Sequence, residues 1–344
     1  MRSHPLAELT RVRILEFVRE PEAVFWVFAF PIILALALGI AFRGGGAKAL
    51  HIGVLGTASH PELAAALAAS DRLRITTFPS EHEAHRALVT GEVVVLVELE
   101  DTVRYRFDPS QPESRLARLE ADNVLQRAAG RVDPVNAEVR HVAEKGSRYI
   151  DFLVPGLLGM NLMGTGIWGV GFALVQTRQR KLLKRLIVTP MRRSSFLLSY
   201  ILSRLTFLIA EVAVVVLFAW LAFGVPLRGS LPAFGFVCVL GAMTFAGIGL
   251  LLAARARTIE GVSGLMNLTM VPMWLFSGIF FSYKHFPEIM QPFIKALPLT
   301  AVNDALRALM LEGRPLPSLW PEIAVAAAWA ILSFATAVRL FRWQ

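Results

Sequence analysis

Cysteine is nearly missing from this chain: 344 residues contain one, Cys238, set inside an apolar run. A single thiol excludes an internal disulfide framework, and small apolar packing is its ordinary role. His51, His60, His82 and His85 form no ligand-like cluster with it, so metal binding finds no support. Phosphate-cradling glycines are missing as well. No GxxxxGK[ST] run occurs, which excludes a P-loop ATP site in this chain. HExxH and GxSxG are equally absent, which removes the zinc-protease and nucleophile-elbow classes. The apolar runs carry no carboxylate–histidine relay of the kind a proton-driven pump uses, and no repeated arginine spacing of a voltage sensor. Catalytic residues, bound cofactors and metal ligands are all expected to be none.

What is abundant is apolar sequence, at 55% of residues and a mean hydropathy of +0.55. Soluble domains stay near about 45–50% apolar. The excess sits in long uncharged runs, the signature of a bilayer-spanning chain. The first is Ala23–Phe42, twenty residues without charge and about 30 Å of helix. Pro31 falls inside it and is expected to kink it. A cleaved signal peptide competes for this run, but its apolar core would be shorter and follow a brief basic start. Further spans are expected over Phe152–Thr177, Phe196–Phe223, Leu231–Ala254, Gly261–Tyr283 and Leu319–Val338. Residues 284–317 are amphipathic and broken by proline, too polar for a full span. Before the first span, residues 1–22 hold an amphipathic stretch that reads as an interfacial helix, with an ordinary cytoplasmic helix as the alternative. The fold class expected is an α-helical polytopic membrane protein of six transmembrane helices with an inserted extracytoplasmic α/β domain.

That insert is residues 43–147. HIGVLG, LRITTF, EVVVLVEL and VRYRF read as strands, and HPELAAALAAS, SEHEAHRALVTG and SRLARLEADNVLQRAAG as helices. Strand–helix alternation of this kind builds a small α/β domain with a mixed sheet. Between Arg43 and Lys145 there are 13 basic and 15 acidic residues; the rest of the chain has 22 basic against 11 acidic. The surplus of positive charge marks cytoplasmic loops and does not call for nucleic acid. The segment 178–193, the loop at 255–257 and the tail with Arg339 and Arg342 fall on one side of six spans. That side is therefore cytoplasmic with both termini, and residues 43–147 lie outside.

Three features of residues 148–344 are singled out. The segment 178–193 carries Arg178, Arg180, Lys181, Lys184, Arg185, Arg192 and Arg193 with no acidic residue. Leu182, Leu183, Leu186 and Ile187 would give it an apolar stripe, leaving Lys184 and Arg185 open to a partner, and Pro190 stops it. A plain positive-inside anchor for anionic lipid is the alternative. Within the third span, Arg204 and Glu211 lie seven residues apart on one helix face, a possible intramembrane polar site or a structural pair. Gly156, Gly159, Gly164, Gly166, Gly169 and Gly171 let the second span approach its neighbours closely.

Four traits together resemble the permease subunits of type-2 ABC exporters: REPEAVFWVFAFPIILALALGIAF (19–42); RQRKLLKRLIVTPMRRSSFLLSYILSR (178–204); PMWLFSGIFFSYKHFPEIMQPFIKALPLTAVNDALRALMLEG (272–313); and the order of one span, a large outer domain and five spans. The subgroup resembled has a large extracytoplasmic domain after the first span. Many members carry an acidic residue and a Gly-Thr pair before the Leu-Leu-Val-Thr-Pro run, where this chain has Gln176-Thr177 and then Arg178 to Leu183. The resemblance implies a dimer with a second permease copy or a homologous permease. It also implies two copies of a separate ABC-type ATP-binding subunit that bring ATP and magnesium. It turns Arg178, Lys181, Leu183, Lys184, Arg185, Leu186 and Pro190 into a coupling helix. The function expected is export of a lipid-like or amphipathic substrate across a bacterial cytoplasmic membrane, amid membrane lipids as further partners. The alternative is a membrane-anchored sensor or assembly protein whose outer domain binds a ligand.

Overall fold

A computed structural model describes residues 10–12, 14, 15, 18–41, 49–100, 102–132, 148–179, 193–256 and 258–340, with backbone alone over 193–202. The chain divides into two compact units, Gly44–His141 and the remainder.

The smaller unit is α/β. Its strands are β1 (Leu50–Leu55), β2 (Leu73–Thr77), β3 (Val95–Leu99) and β4 (Val103–Phe107). They stand in the order β2-β1-β3-β4. β1 pairs in parallel with β2 and β3, and β3 pairs antiparallel with β4, Val97 facing Tyr105. β3 is buried along its whole length, as a central strand covered on both faces must be. β4 alternates, with Arg104 and Arg106 outward. Helices α2 (Pro61–Ala68) and α4 (Pro112–Ala128) cover one face, closing Ile52, Val54, Val95, Val97 and Leu99 over Leu67, Ala117 and Ala121. Helix α3 (Glu81–Val89) covers the other with Ala84 and Ala87 on Leu96. Ser80 caps α3 by accepting from the Glu83 amide.

The larger unit is helical. Helix α1 runs as Pro21–Val24, a π turn Phe25–Ala29, and Phe30–Ala41. It is followed by α5 (Tyr149–Gln179), α6 (Arg193–Phe223), α7 (Leu231–Ala253) and α8 (Ile259–Phe276). Short helices α9 (Gln291–Lys295) and α10 (Pro298–Arg307, continued by a π turn Ala308–Glu312) precede α11 (Trp320–Leu340). Among the described residues, four helices are long and apolar enough to cross a membrane, those over Tyr149–Gln179, Ser203–Phe223, Leu231–Ala253 and Leu316–Leu340. The apolar stretch Phe25–Ala41 is shorter, and α8 has 18 residues. The fifth apolar run, expected to continue to Tyr283, leaves the helix at Phe276. Ser277 is the C-cap and Gly278 follows at φ 69°, a left-handed turn that glycine adopts without strain.

Glycine decides how tightly α5 and α7 pack. A Cβ at Gly166 would lie 2.6 Å from the Cβ of Phe245, one at Gly249 would lie 2.7 Å from the Ile167 carbonyl, and one at Gly171 would lie 2.8 Å from the Gly249 carbonyl. Backbones therefore touch along this crossing, the close approach that small residues permit. Gly164 and Gly169 face open space instead. Phe245, Leu158, Leu162, Ile167 and Met266 close the core around this seam.

Helix ends sort into two groups. Arg178, at the end of α5, donates to the carbonyls of Ala253, Ala254 and Ala256 at the end of α7. At the start of α5, Arg148 donates to the Phe223 carbonyl that ends α6, at 2.9 Å. There too a Cβ at Gly39 of α1 would meet the Phe223 ring at 2.8 Å and Ile150 at 3.2 Å. The α6–α7 turn joins that group: the Arg228 and Gly229 amides donate to Met310 and Leu309.

Candidate functional site

The polar centre of the helical unit begins with a proline. Pro31 has no N–H for the carbonyl four residues earlier, that of Val27. The π turn just before it shifts the local bonding, with the Phe30 amide donating to Phe25. The Val27 carbonyl is taken instead by α5: the Asn161 side-chain amide donates to it at 2.9 Å in a buried contact. One turn along α5 stands Thr165, on the same face. Its hydroxyl lies 2.8 Å from the Asn161 carbonyl and 3.2 and 3.3 Å from the two oxygens of Glu211. Arg204 completes the layer. It donates to Glu211 at 2.9 Å and to the Thr165 hydroxyl. Glu211 is fully buried and Arg204 is 11% exposed.

This layer joins three helices at one depth. Arg204 and Glu211, seven residues apart on α6, pair as their spacing predicts, and α5 supplies the third member. An ion pair taken out of water repays its desolvation when geometry is good and further hydrogen bonds serve the charged groups. Thr165 provides such a bond. Beyond the layer the contact of α1, α5 and α6 is apolar, lined by Pro31, Ala35, Leu157, Val215 and Phe218 around a small cavity.

A second polar cluster closes the far end of α5. Arg307 stacks over the Phe152 ring at 3.9 Å and donates to the Phe152 carbonyl at 3.4 Å and to the Gly278 carbonyl. Asp304 lies 3.6 Å from it and accepts from the Tyr283 hydroxyl at 2.9 Å. Asn303 donates to the Ser277 carbonyl at 2.9 Å. Gly156 and Gly159 make room: Cβ atoms there would meet Arg307 and the Asn303 side-chain oxygen. The left-handed turn after α8 is thus tied to α5 and α10. The Leu297-Pro298-Leu299-Thr300 and Asp304-Ala305-Leu306-Arg307 stretch contributes to the family resemblance, but none of these side chains is among the candidate site residues. The available signal was an arginine, an aspartate and an asparagine on an otherwise buried helix.

Of the nominated coupling residues, Arg178 is described, and it caps the end of α7 from within the helical unit. Lys181, Leu183, Lys184, Arg185, Leu186 and Pro190 lie outside the described residues, as does the start of the expected interfacial helix at residues 1–9. No group of three or more His, Cys, Asp or Glu side chains arranged to hold a metal occurs among the described residues.

Long apolar helices packed through glycine around a buried ion pair define an α-helical membrane protein. The comparisons narrow the class. Residues 22–339 match the ABC-2 family transporter protein family, and the chain belongs to it: this is a type-2 ABC permease. It is similar to ABC transporter G family member 20 of Dictyostelium discoideum, 27% identical over 194 residues, covering 56% of this chain and 27% of that protein. It is similar to the probable multidrug ABC transporter permease YbhR of Escherichia coli, 24% identical over 213 residues, 60% of this chain and 58% of that protein. It is also similar to the linearmycin resistance permease protein LnrN of Bacillus subtilis, 24% identical over 175 residues, 51% of this chain and 45% of that protein. In each case the match spans less than two thirds of the relative.

Proposed function

We propose that the chain is the transmembrane subunit of an ATP-driven exporter that moves a lipid-like or amphipathic molecule out of the cytoplasm or inner leaflet. The family match across residues 22–339 carries this reading. Relatives named for multidrug transport and for linearmycin resistance support an amphipathic cargo. Six crossings are proposed, with α1 and α8 joining the four longer helices. Both termini and residues 178–193 are assigned to the cytoplasmic side of a bacterial inner membrane, and residues 43–147 to the outside.

ATP and magnesium belong to a separate ATP-binding subunit, present in two copies, because this sequence has no phosphate-cradling loop. The partner docks on residues 178–193. Capping of α7 by Arg178 supports the assignment, since it fastens the entry of that segment to a second helix end. The permease acts as a pair with a second copy or a homologous chain.

The test is co-expression with a candidate ATP-binding subunit, co-purification, and ATPase measurement against a panel of lipids, drugs and peptides. A stable complex whose turnover responds to an amphipathic compound is expected. Lys184→Glu with Arg185→Glu should leave insertion intact and weaken partner binding or uncouple hydrolysis. Normal binding and coupling by that variant would reduce the segment to a membrane anchor. Turnover by the purified chain alone would contradict the division of labour.

A further inference from the structure

The polar cluster around Asp304 holds more acceptors than donors. Among the described residues, seven buried side-chain atoms have no hydrogen bond, and four of them gather here: Ser277 Oγ, Thr300 Oγ1, Asn303 Oδ1 and Glu322 Oε2. Buried polar atoms are ordinarily paired, so their concentration at one place marks a local shortage. All four can accept a hydrogen bond. The donors beside them are engaged. Arg307 gives to the Phe152 and Gly278 carbonyls, the Asn303 amide to the Ser277 carbonyl, and the Tyr283 hydroxyl to Asp304 Oδ2.

Charge is unbalanced in the same sense. Asp304 stands on α10 and Glu322 in the first turn of α11. Arg307 is the buried cation of the cluster, but its Nη1 lies 3.6 Å from Asp304 Oδ1, beyond good hydrogen-bond reach. Lys284 acts on Asp304 from the segment after α8 and is exposed. His285, Glu288 and Lys295, before α10, are exposed as well. From α5 come Phe152, Gly156 and Gly159, while its acid Asp151 is closed onto Arg148 at 2.8 Å. Helix α7 has no charged residue over Leu231–Ala253. Burial pushes the Asp304 carboxyl above the usual carboxylate range; Glu322 adds to this, and Tyr283, Arg307 and Lys284 oppose it.

We infer that Asp304 is a proton-binding site whose occupancy fastens α10 to the turn after α8 and to the start of α11. Oδ2 accepts from Tyr283, so Oδ1 is the oxygen left to carry the proton. The proton removes a charge that Glu322 disfavours and supplies the donor this cluster is short of. Its loss leaves a carboxylate near a second acid, with a loosely placed guanidinium against it, and the fastening weakens. The Asp304 side chain is 26% exposed, so the proton exchanges with water directly. In the proposed topology that water is on the outer side: acid outside tightens this end of the bundle and alkali loosens it. The inference rests on the permease reading for the side of the membrane alone.

A carboxyl that binds its proton more readily in the folded chain gives stability that is lost as pH rises through its folded value. The experiment is thermal unfolding of the full chain in lipid nanodiscs, without a partner subunit, from about pH 5 to about pH 9, above the usual aspartate value of about 4. Asp304→Asn keeps the shape, cannot ionise and brings its own N–H donors. It should melt with the wild type at the acid end and above it at the alkaline end. Infrared spectra should show the carbonyl band of a protonated carboxylic acid that Asp304→Asn abolishes, and its titration gives the midpoint. Glu322→Gln should lower that midpoint and Tyr283→Phe should raise it, each by about three- to tenfold in proton affinity. A melting difference between wild type and Asp304→Asn that stays constant with pH would overturn the proposal, as would an acid band that survives the substitution. If Asp304→Asn does not fold, a wild-type midpoint that neither of the other variants moves overturns it. Stabilisation by sodium or potassium at fixed pH, with no acid band, would make the cluster a metal-cation site and reject the proton. Since no partner takes part, failure here leaves the permease reading standing, and failure of ATP-driven export leaves the proton site standing.

Discussion

At the scale of single residues, stability in this bundle depends on polar groups that answer one another. The Val27 carbonyl loses its donor to Pro31 and regains one from Asn161. Asn161→Leu should therefore cost about 1–3 kcal/mol, the penalty for an unsatisfied buried acceptor. In a Pro31→Ala background the backbone can supply the missing N–H, and the same substitution should cost markedly less. Thermal unfolding of the four proteins in one detergent measures the cycle, and equal losses in both backgrounds would reject the pairing. The Arg204–Glu211–Thr165 layer gives the second case. Glu211→Leu leaves a buried guanidinium unpaired and should destabilise by about 3–5 kcal/mol, whereas Arg204→Met with Glu211→Leu should recover most of the loss. A double variant as unstable as the single one would show that the layer does more than neutralise its own charge.

At the scale of elements, glycine placement makes a contrast that can be checked. Gly166→Leu drives a side chain into Phe245, where a Cβ already lies at 2.6 Å, so α5 and α7 must separate. Overpacking of this kind costs about 1–3 kcal/mol or more. Gly164→Leu, two residues away and facing open space, should be nearly neutral. Melting temperatures of the two variants, purified in parallel, decide the matter; comparable losses would mean that the seam is not at Gly166. The same elements show what could be read beforehand. Strands β1 to β4 occupy HIGVLG, LRITTF, EVVVLVEL and VRYRF because short apolar runs, the alternation of VRYRF and the flanking turn residues are written locally. The fifth apolar run extends past its helix because hydropathy reports burial, and FSGIFFSY stays apolar after the backbone has turned at Gly278. Residues 284–317 are too polar for a full span. Yet α10 buries Leu299, Val302 and Leu306, and its polarity is spent on Ser277, Gly278 and Phe152, partners that no local pattern reveals. Arg204 and Glu211 were legible because one helix sets their spacing; Thr165, from another helix, was not.

At the scale of the whole molecule, the side on which each helix end emerges can be tested against the proposed topology. Arg178 ties the end of α5 to the end of α7, and Arg148 ties the start of α5 to the end of α6. Gly39 of α1 packs beside Phe223 and Ile150, so the chain leaves the helical unit after α1 and returns to it before α5 at the same end. That end is therefore opposite the one holding Arg178, the first residue of the basic segment 178–193 that the positive-inside bias assigns to the cytoplasm. Three exposed tryptophans agree with this frame. Trp26 stands near the start of α1, while Trp220 and Trp320 stand near the end of α6 and the start of α11; indole side chains favour the two membrane–water boundaries. A cysteine at Ser110, in the turn before α4, with Cys238→Ser should then react with an impermeant thiol reagent in intact cells, or in spheroplasts where an outer membrane intervenes. A cysteine in place of Thr258, in the turn before α8, should react only after lysis. The reverse pattern would invert the topology, and labelling of both in intact cells would mean that the number of crossings between them is even, against the odd number proposed.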